Sequence, residues 1–237
     1  MIPYIIINGV SSKQIKGLLV QSLPPISKPK MRTSIEDIDG RDGDVVTTLG
    51  FAAYDKAITV GLKGEYNIDD VIGFFNSSGK VIFSNEIDKY YNFAVYDNID
   101  FNRLVRYRTA NINLHVQPFK YSSEEPPIDK ENSTGQTIVD IPVRNTGNIY
   151  SRPRLAITGR NTITVYLNGA QIFSIELSTA GETIIIDDFN AVDNEGNFLN
   201  RQVTGDYEFF KLPTGLNDLT ITGSFTRATL ERYSRWI

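Results

Sequence analysis

The chain predicts a mainly β protein of two domains, and three features of its 237 residues predict it. Apolar and polar residues alternate with period two in one short segment after another, joined by Gly, Asn and Asp turns, which is the pattern of strands in sheets. Only one stretch has the 3.6-residue period of a helix. One run, residues 122–135, has no period, two prolines and many small polar side chains, the composition of an inter-domain linker. Residues 1–130 are therefore assigned to an N-terminal β-barrel or sheet domain with one short helix. Residues 136–225 are assigned to a C-terminal β-sandwich of jelly-roll type, with 226–237 docking back on the first domain.

The apolar start at residues 2–7 runs into Asn8-Gly9 and reads as a first strand, because it lacks the basic flank and small-residue cleavage site of a signal peptide. Residues 11–21 mix polar and apolar positions, and Pro24, Pro25 and Pro29 hold the chain between them extended, as at a sheet edge. Residues 35–62 are the stretch on which the rest hangs. Gly40 and Gly43 among four aspartates imply two positive-φ turns, and a long apolar alternation comes directly after them. That is a loop built to project before its strand joins a sheet: an arm that meets a neighbouring subunit, with Asp39, Arg41, Asp42, Val45, Val46 and Phe51 as its candidate contacts.

Asn67 is an N-cap, Asp69 and Asp70 complement the dipole of the first helical turn, and Ile68, Val71, Ile72 and Phe75 form one stripe that Gly79 should end. Strands are expected at 80–84, at 89–101 and at 106–118. In the second of these Tyr91, Phe93, Val95, Ile99 and Phe101 share a face with Asp97 as the exception, and in the third Ile112, Leu114 and Val116 point inward. Past the linker, Val139, Ile141 and Val143 alternate, and 154–158 comes after a turn. Ile163, Val165 and Leu167 then lead into Asn168-Gly169, the strongest two-residue hairpin signal, with Phe173, Ile175 and Leu177 returning. Further strands are expected at 182–189, at 207–212 and from Leu219 to Phe225, with a turn at 193–196.

Net charge −4 and a pI near 5.1 argue against a dedicated nucleic-acid binder, and Lys28, Lys30 and Arg32 read as a solvated loop. No window approaches the roughly 18 apolar residues of a membrane-spanning helix. With no cysteine, disulfides, thiolate zinc sites and cysteine nucleophiles are excluded. His115, the only histidine, lies on a strand's polar face, and no serine stands in a nucleophile-elbow context, so neither a triad nor a histidine metal site is expected.

Asp37, Asp39, Asp42 and Asp44 miss the spacing of a calcium loop and read as turn formers. Asp187, Asp188, Asp193 and Glu195 contain the two carboxylates a glycosidase needs, but the aromatic cleft such a pair works in has no support, since Trp236 is the sole tryptophan and ends the chain. Gly61 and Gly64 lack the Lys-Ser/Thr and helix of a phosphate loop. The expectation is a protein that is not an enzyme and uses no catalytic residue, cofactor or metal. Tyr90, Tyr91, Tyr96, Tyr107 and Tyr121 crowd one region and divide between core and interface contact. The closing TRATLERYSRWI is rich in the residue types of binding hot spots, so Tyr233, Arg235 and Trp236 are expected to be docked.

Five motifs span essentially the whole chain: the start PYIIING; the IDGRDGDVV loop before a long strand; the helix NIDDVIGFF with GKVIFS after it; the polar, Pro-bearing linker; and the closing run ETIIIDDFNAVDNEGNFLNRQVTGDYEFFKLPTGLNDLTITG with its Leu-Pro-x-Gly-x-Asn. In this layout the sequence resembles the distal tail proteins of long-tailed, siphovirus-type bacteriophages. The resemblance implies a structural hub of the phage tail tip or baseplate. Six copies would form a ring through their N-terminal domains, with galectin-like C-terminal sandwiches outside carrying adhesion components. As partners it implies the tail tube protein on one side and a tail-associated lysin or receptor-binding baseplate protein on the other. It also implies DNA passing through the lumen, no membrane, and a place in the virion after synthesis in the host bacterial cytoplasm. A galectin-type sugar site is not implied: its His/Asn/Arg strand set and W-x-x-E-x-R motif are absent, since the second half has no histidine and its tryptophan is terminal. A carbohydrate-binding module on a virion or cell surface is the alternative from another class.

Overall fold

Strands dominate the computed structural model, which describes residues 2–95, 99–132 and 135–237. The chain forms two units, Met1–Ser123 and Glu124–Trp236, each with its own apolar core.

The first unit contains β1 (Ile5–Ile7), β2 (Val10–Ser11), β3 (Leu18–Ser22), β4 (Met31–Asp37), β5 (Asp44–Phe51), β6 (Tyr54–Leu62), α1 (Ile68–Phe75), β7 (Ser78–Phe83), β8 (Lys89–Ala94), α2 (Phe101–Tyr107) and β9 (Thr109–Ser122). Seven strands pair in the order β2-β1-β7-β8-β9-β6-β3, while β4 and β5 pair, among the described residues, only with each other. The strict alternation of β9 buries Ile112, Leu114 and Val116 as expected, opposite Ile58, Lys56 and Tyr54 of β6. The Asn67 carboxamide accepts the Asp69 N–H at 3.1 Å, and α1 buries Val71, Phe74 and Phe75 on the sheet.

Three expectations are corrected here. Helix α1 ends at Asn76, whose N–H donates to the Ile72 carbonyl, and not at Gly79. Gly79 lies inside β7 at φ +136, where a Cβ would stand 2.2 Å from Asn8 Oδ1. A second helix, α2, takes the end of one segment read as strand, the start of the next and the unassigned residues between: Asp100 caps it by accepting the Arg103 N–H at 3.0 Å, Leu104 is fully buried, and Arg108 closes it at φ +58. Strand β8 accordingly stops at Ala94, so Ile99 and Phe101 are not strand residues, while Tyr96 and Asp97 lie outside the described residues.

The second unit contains β10 (Ile128–Glu131), β11 (Ile138–Asn145), β12 (Arg154–Leu167), β13 (Ala170–Asp187), β14 (Asn190–Val192), β15 (Val203–Gly205) and β16 (Gly215–Glu231). The expected sandwich forms, but from one hydrogen-bonded set folded on itself. Strands β12, β13 and β16, of 14, 18 and 17 residues, each run through both layers. One layer is β11, the first part of β16, the second part of β12, the first part of β13, and β15; the other is β10, the rest of β16, β12 and β13, and β14. The crossing point is marked by register shifts at Gly159 and by Gly223 at φ +114. A Cβ on Gly159 would lie 2.6 Å from the Ser224 carbonyl, so only glycine lets these backbones approach. Inward residues of both layers, among them Ile141, Leu155, Ile163, Phe173 and Leu230, share one core. The Asn168-Gly169 hairpin is present with both residues at positive φ (51° and 82°), as a type I′ turn requires.

Two further differences concern boundaries. Residues 128–131 of the expected linker are strand β10, paired with β16, and residues 226–231 extend β16 within the sandwich instead of standing apart from it. Residues 207–212 are not a strand: Asp206 caps a single 3-10 turn at Tyr207–Phe209 through the Glu208 N–H.

Candidate functional site: a projecting hairpin

The loop expected to project is the tip of the β4–β5 hairpin. Residues 38–43 connect the strands, Gly40 and Gly43 both take positive φ (80° and 78°), and the Arg41 N–H donates to the Ile38 carbonyl at 3.1 Å. The register pairs Asp37 with Asp44, Ile35 with Val46 and Thr33 with Thr48, and a bulge between Arg32 and Thr33 leaves Leu49 as the extra residue. Arg32 Nη2 ties the bulge by donating to the Leu49 carbonyl at 3.2 Å. Because both faces of the hairpin see solvent, its apolar side chains are exposed, Ile35 to 61%, Val46 to 59% and Leu49 to 55%.

The root of the hairpin is held by the body of the unit. Phe51 packs edge-on against Phe119 of β9 with ring centroids 5.5 Å apart, and the Ala52 N–H donates to the Lys30 carbonyl. The Pro-rich approach is pinned by Lys56 Nζ, which donates to the Pro25 carbonyl at 3.0 Å, and by the Tyr54 hydroxyl, which donates to Ser27. Lys56 is buried, which lowers its affinity for a proton, with the Glu86 carboxylate opposing that effect. Glu86 in turn binds Lys120 Nζ at 2.6 Å and accepts the Tyr91 hydroxyl at 2.9 Å. Burial, then the charge of Glu86, pushes the Tyr91 phenol well above its ordinary range. This buried network fixes where the hairpin leaves the sheet.

Of the candidate contacts, Asp39, Arg41 and Asp42 are exposed at the tip, Val46 is exposed along the strand, Val45 is half-buried, and Phe51 serves the root. Sequence reasoning began the arm at Ile35 and missed strand β4, and with it Met31. The only signal was the pair Asp37 and Asp44 flanking the two glycines, because β4 itself has no apolar alternation.

The other predicted features are engaged locally. Tyr233 is at positive φ (50°), and its hydroxyl donates to Glu231. Ser234 gives its N–H and hydroxyl to Glu125 at 2.8 and 2.6 Å, Arg235 is buried with Nε donating to the Tyr150 carbonyl at 2.7 Å, and Trp236 is half-buried. Asp187 pairs with Arg154 and Asp188 with Arg152, while Asp193 accepts the Asn197 side-chain amide at 2.8 Å and the backbone N–H groups of Asn197 and Glu195, which together hold its carboxyl below the usual range. His115 Nδ1 lies 2.7 Å from Asp55 on the neighbouring strand. Of the tyrosine cluster, Tyr91 is core, Tyr90 stacks on Tyr121 at 5.4 Å, Tyr107 is exposed, and Tyr96 lies outside the described residues.

No protein-family model matches the sequence, and neither does any curated protein. Solved structures do match. A chain in the structure of the phage P2 baseplate in its activated conformation with Ca aligns over 97% of each chain with a TM-score of 0.51 and 11% identity. The crystal structure of the SPP1 Dit (gp 19.1) protein, described as a paradigm of the hub adsorption apparatus in phages infecting Gram-positive bacteria, aligns over 98% of this chain and 99% of its own, with a TM-score of 0.66 and 16% identity. Along nearly its whole length, this chain has the fold of that phage hub protein.

Proposed function

We propose that this chain is a non-enzymatic structural hub of a bacteriophage tail tip or baseplate. Its N-terminal units close a ring, six copies by analogy, through the β4–β5 hairpin, and its sandwiches carry adhesion proteins outward. The ring joins the tail tube to the host-adhesion device and lets DNA pass, and an acidic chain suits a lumen that must not grip phosphates. The observation that carries this reading is the hairpin. An isolated two-stranded ribbon is marginally stable in water, and this one keeps two open edges and a row of exposed apolar residues. Such a ribbon gains most by seating on another subunit, and a head-to-tail contact of that kind closes into a ring when the rotation permits. The whole-length likeness to a phage hub protein supports the setting.

Solution mass and electron microscopy of the full chain test it. Particles of several 26.6 kDa copies with ring-shaped views are expected. A strictly monomeric species at high concentration, with no ring on a tail tip, overturns it.

Carbohydrate binding is the second reading, because the sandwich exposes aromatic side chains, Phe198 to 72% and Phe209 to 69%, with Phe189 capped by the Arg152 guanidinium at 4.3 Å. A glycan array without hits removes it.

A further inference from the structure

Charge in the first unit is concentrated at two places. From residue 36 to 44 the hairpin tip holds five carboxylates, Glu36, Asp37, Asp39, Asp42 and Asp44, against the single guanidinium of Arg41, a formal −4 that equals the net charge of the entire chain. None of these six side chains forms an ion pair among the described residues, and Asp37 and Asp44 face each other directly across the ladder, where like charges are destabilising. Helix α2 and its C-terminal cap are the opposite: residues 101–108 hold Arg103, Arg106 and Arg108 and no acid. Arg106 and Arg108 lie over the rings of Tyr107 and Tyr66, and none of the three arginines meets a carboxylate among the described residues. An open cavity of about 550 Å³ runs along this face, lined by Asp100, Asn102, Arg103, Arg106, Tyr107 and Thr109. Asp100 is turned to the helix, where it caps the Arg103 N–H.

The two places do not meet within this copy: among the described residues no ion pair or hydrogen bond joins the tip to the arginines. Strand β6 separates them: Tyr54 at its start pairs with Val116 beside the hairpin root, and Leu62 at its end donates its N–H to the Arg108 carbonyl. Eight residue steps of strand put about 26 Å between these ends. The hairpin leaves at one end and the arginines sit at the other, which is the layout of a head-to-tail contact.

We infer that the acidic hairpin tip of one copy seats in the α2 cavity of the next copy, with Asp39 and Asp42 facing Arg103 and Arg106. The inference rests on the ring reading above and names the surface that receives the arm. It accounts for the Asp37–Asp44 apposition as a repulsion that a cationic neighbour relieves, and for arginines that meet no carboxylate among the described residues of an acidic chain. The exposed Val105 and Tyr107 supply apolar contact for Ile38.

The cysteine-free chain allows a direct test. Full-length Ile38→Cys is mixed with full-length Asn102→Cys under mild oxidation, and separately with Glu176→Cys, whose site is on the exposed surface of the sandwich. A covalent dimer is expected in the first mixture and not in the second. Adding Arg103→Glu and Arg106→Glu to the Asn102→Cys chain should lower the yield about tenfold, and adding Asp39→Lys and Asp42→Lys to its Ile38→Cys partner should restore it. Restoration also shows that the reversed helix is folded. Equal dimer in both mixtures, none in either, or a yield indifferent to charge reversal overturns the inference. Rings that persist with the reversed helix overturn it while leaving the ring reading intact. A monomeric wild type that still links residue 38 to residue 102 keeps the contact and removes the ring.

Discussion

Lys56, Glu86, Lys120 and Tyr91 show how single residues decide where the hairpin leaves the sheet. Glu86 is the only carboxylate that the buried Lys120 ion-pairs with among the described residues. Glu86→Ala should therefore destabilise the fold by about 3 kcal/mol, because it leaves an uncompensated buried charge, whereas Glu86→Leu with Lys120→Met should recover most of the loss. Urea midpoints of the two variants beside the parent check this.

The same network sets an alkaline limit. Tyr91 holds its proton above the ordinary value of 10.0, so above that pH the unfolded chain has released a proton that the folded chain keeps. The folded state then binds more protons than the unfolded one, and stability falls as pH rises. Tyr54, Tyr207 and Tyr233 shift the same way, so Tyr91→Phe should make the fall above pH 10 shallower without abolishing it. Lys56 acts oppositely: its proton is lost more easily when folded, so its contribution rises with pH towards 10.5. Urea midpoints measured on both sides of about pH 10 separate the two signs.

Among the elements, two glycines carry opposite expectations. Gly73 lies on the exposed side of α1 with nothing within 4 Å of a Cβ, so Gly73→Ala should stabilise by about 0.5–1 kcal/mol through helix propensity. Gly159 sits where β12 crosses between layers, and its Cβ would stand 2.8 Å from Phe225 Cα. Gly159→Ala should therefore cost about 1–3 kcal/mol by forcing backbones apart. Thermal unfolding of both variants beside the parent decides the signs. The hairpin is the element with the least support of its own: outside its root, residues 32–48 touch solvent on both faces. Replacing residues 32–50 by a short Gly-Ser link should leave the cores intact, as read by far-UV circular dichroism, and abolish self-association, as read by sedimentation.

For the whole molecule, assembly through an acidic tip and a cationic cavity is screened by salt. Self-association should therefore weaken between about 0.05 and 0.5 M NaCl, while urea stability, set by two apolar cores, changes little. Sedimentation across that range provides the measurement.

What the residues determined alone is what depends on local pattern. Period-two alternation placed β9, β11 and the Asn168-Gly169 hairpin, and the Asn67 cap with its apolar stripe placed α1, because each of these buries one face whatever it packs against. Gly40 and Gly43 announced a projecting turn for the same reason, since positive φ is a property of the residue itself. Tertiary structure decided the rest. Helix α2 has one buried apolar side chain and a cap, too little for period to reveal; β4 is exposed on both faces and so carries no burial pattern; and three strands long enough to serve two layers look like separate strands until their bends are seen. The candidate contact divides in the same way. Its acidic half is legible in nine consecutive residues, but its distance from the arginines exists only once β6 has been laid out between them, because separation in space is a property of the fold and not of the order of residues.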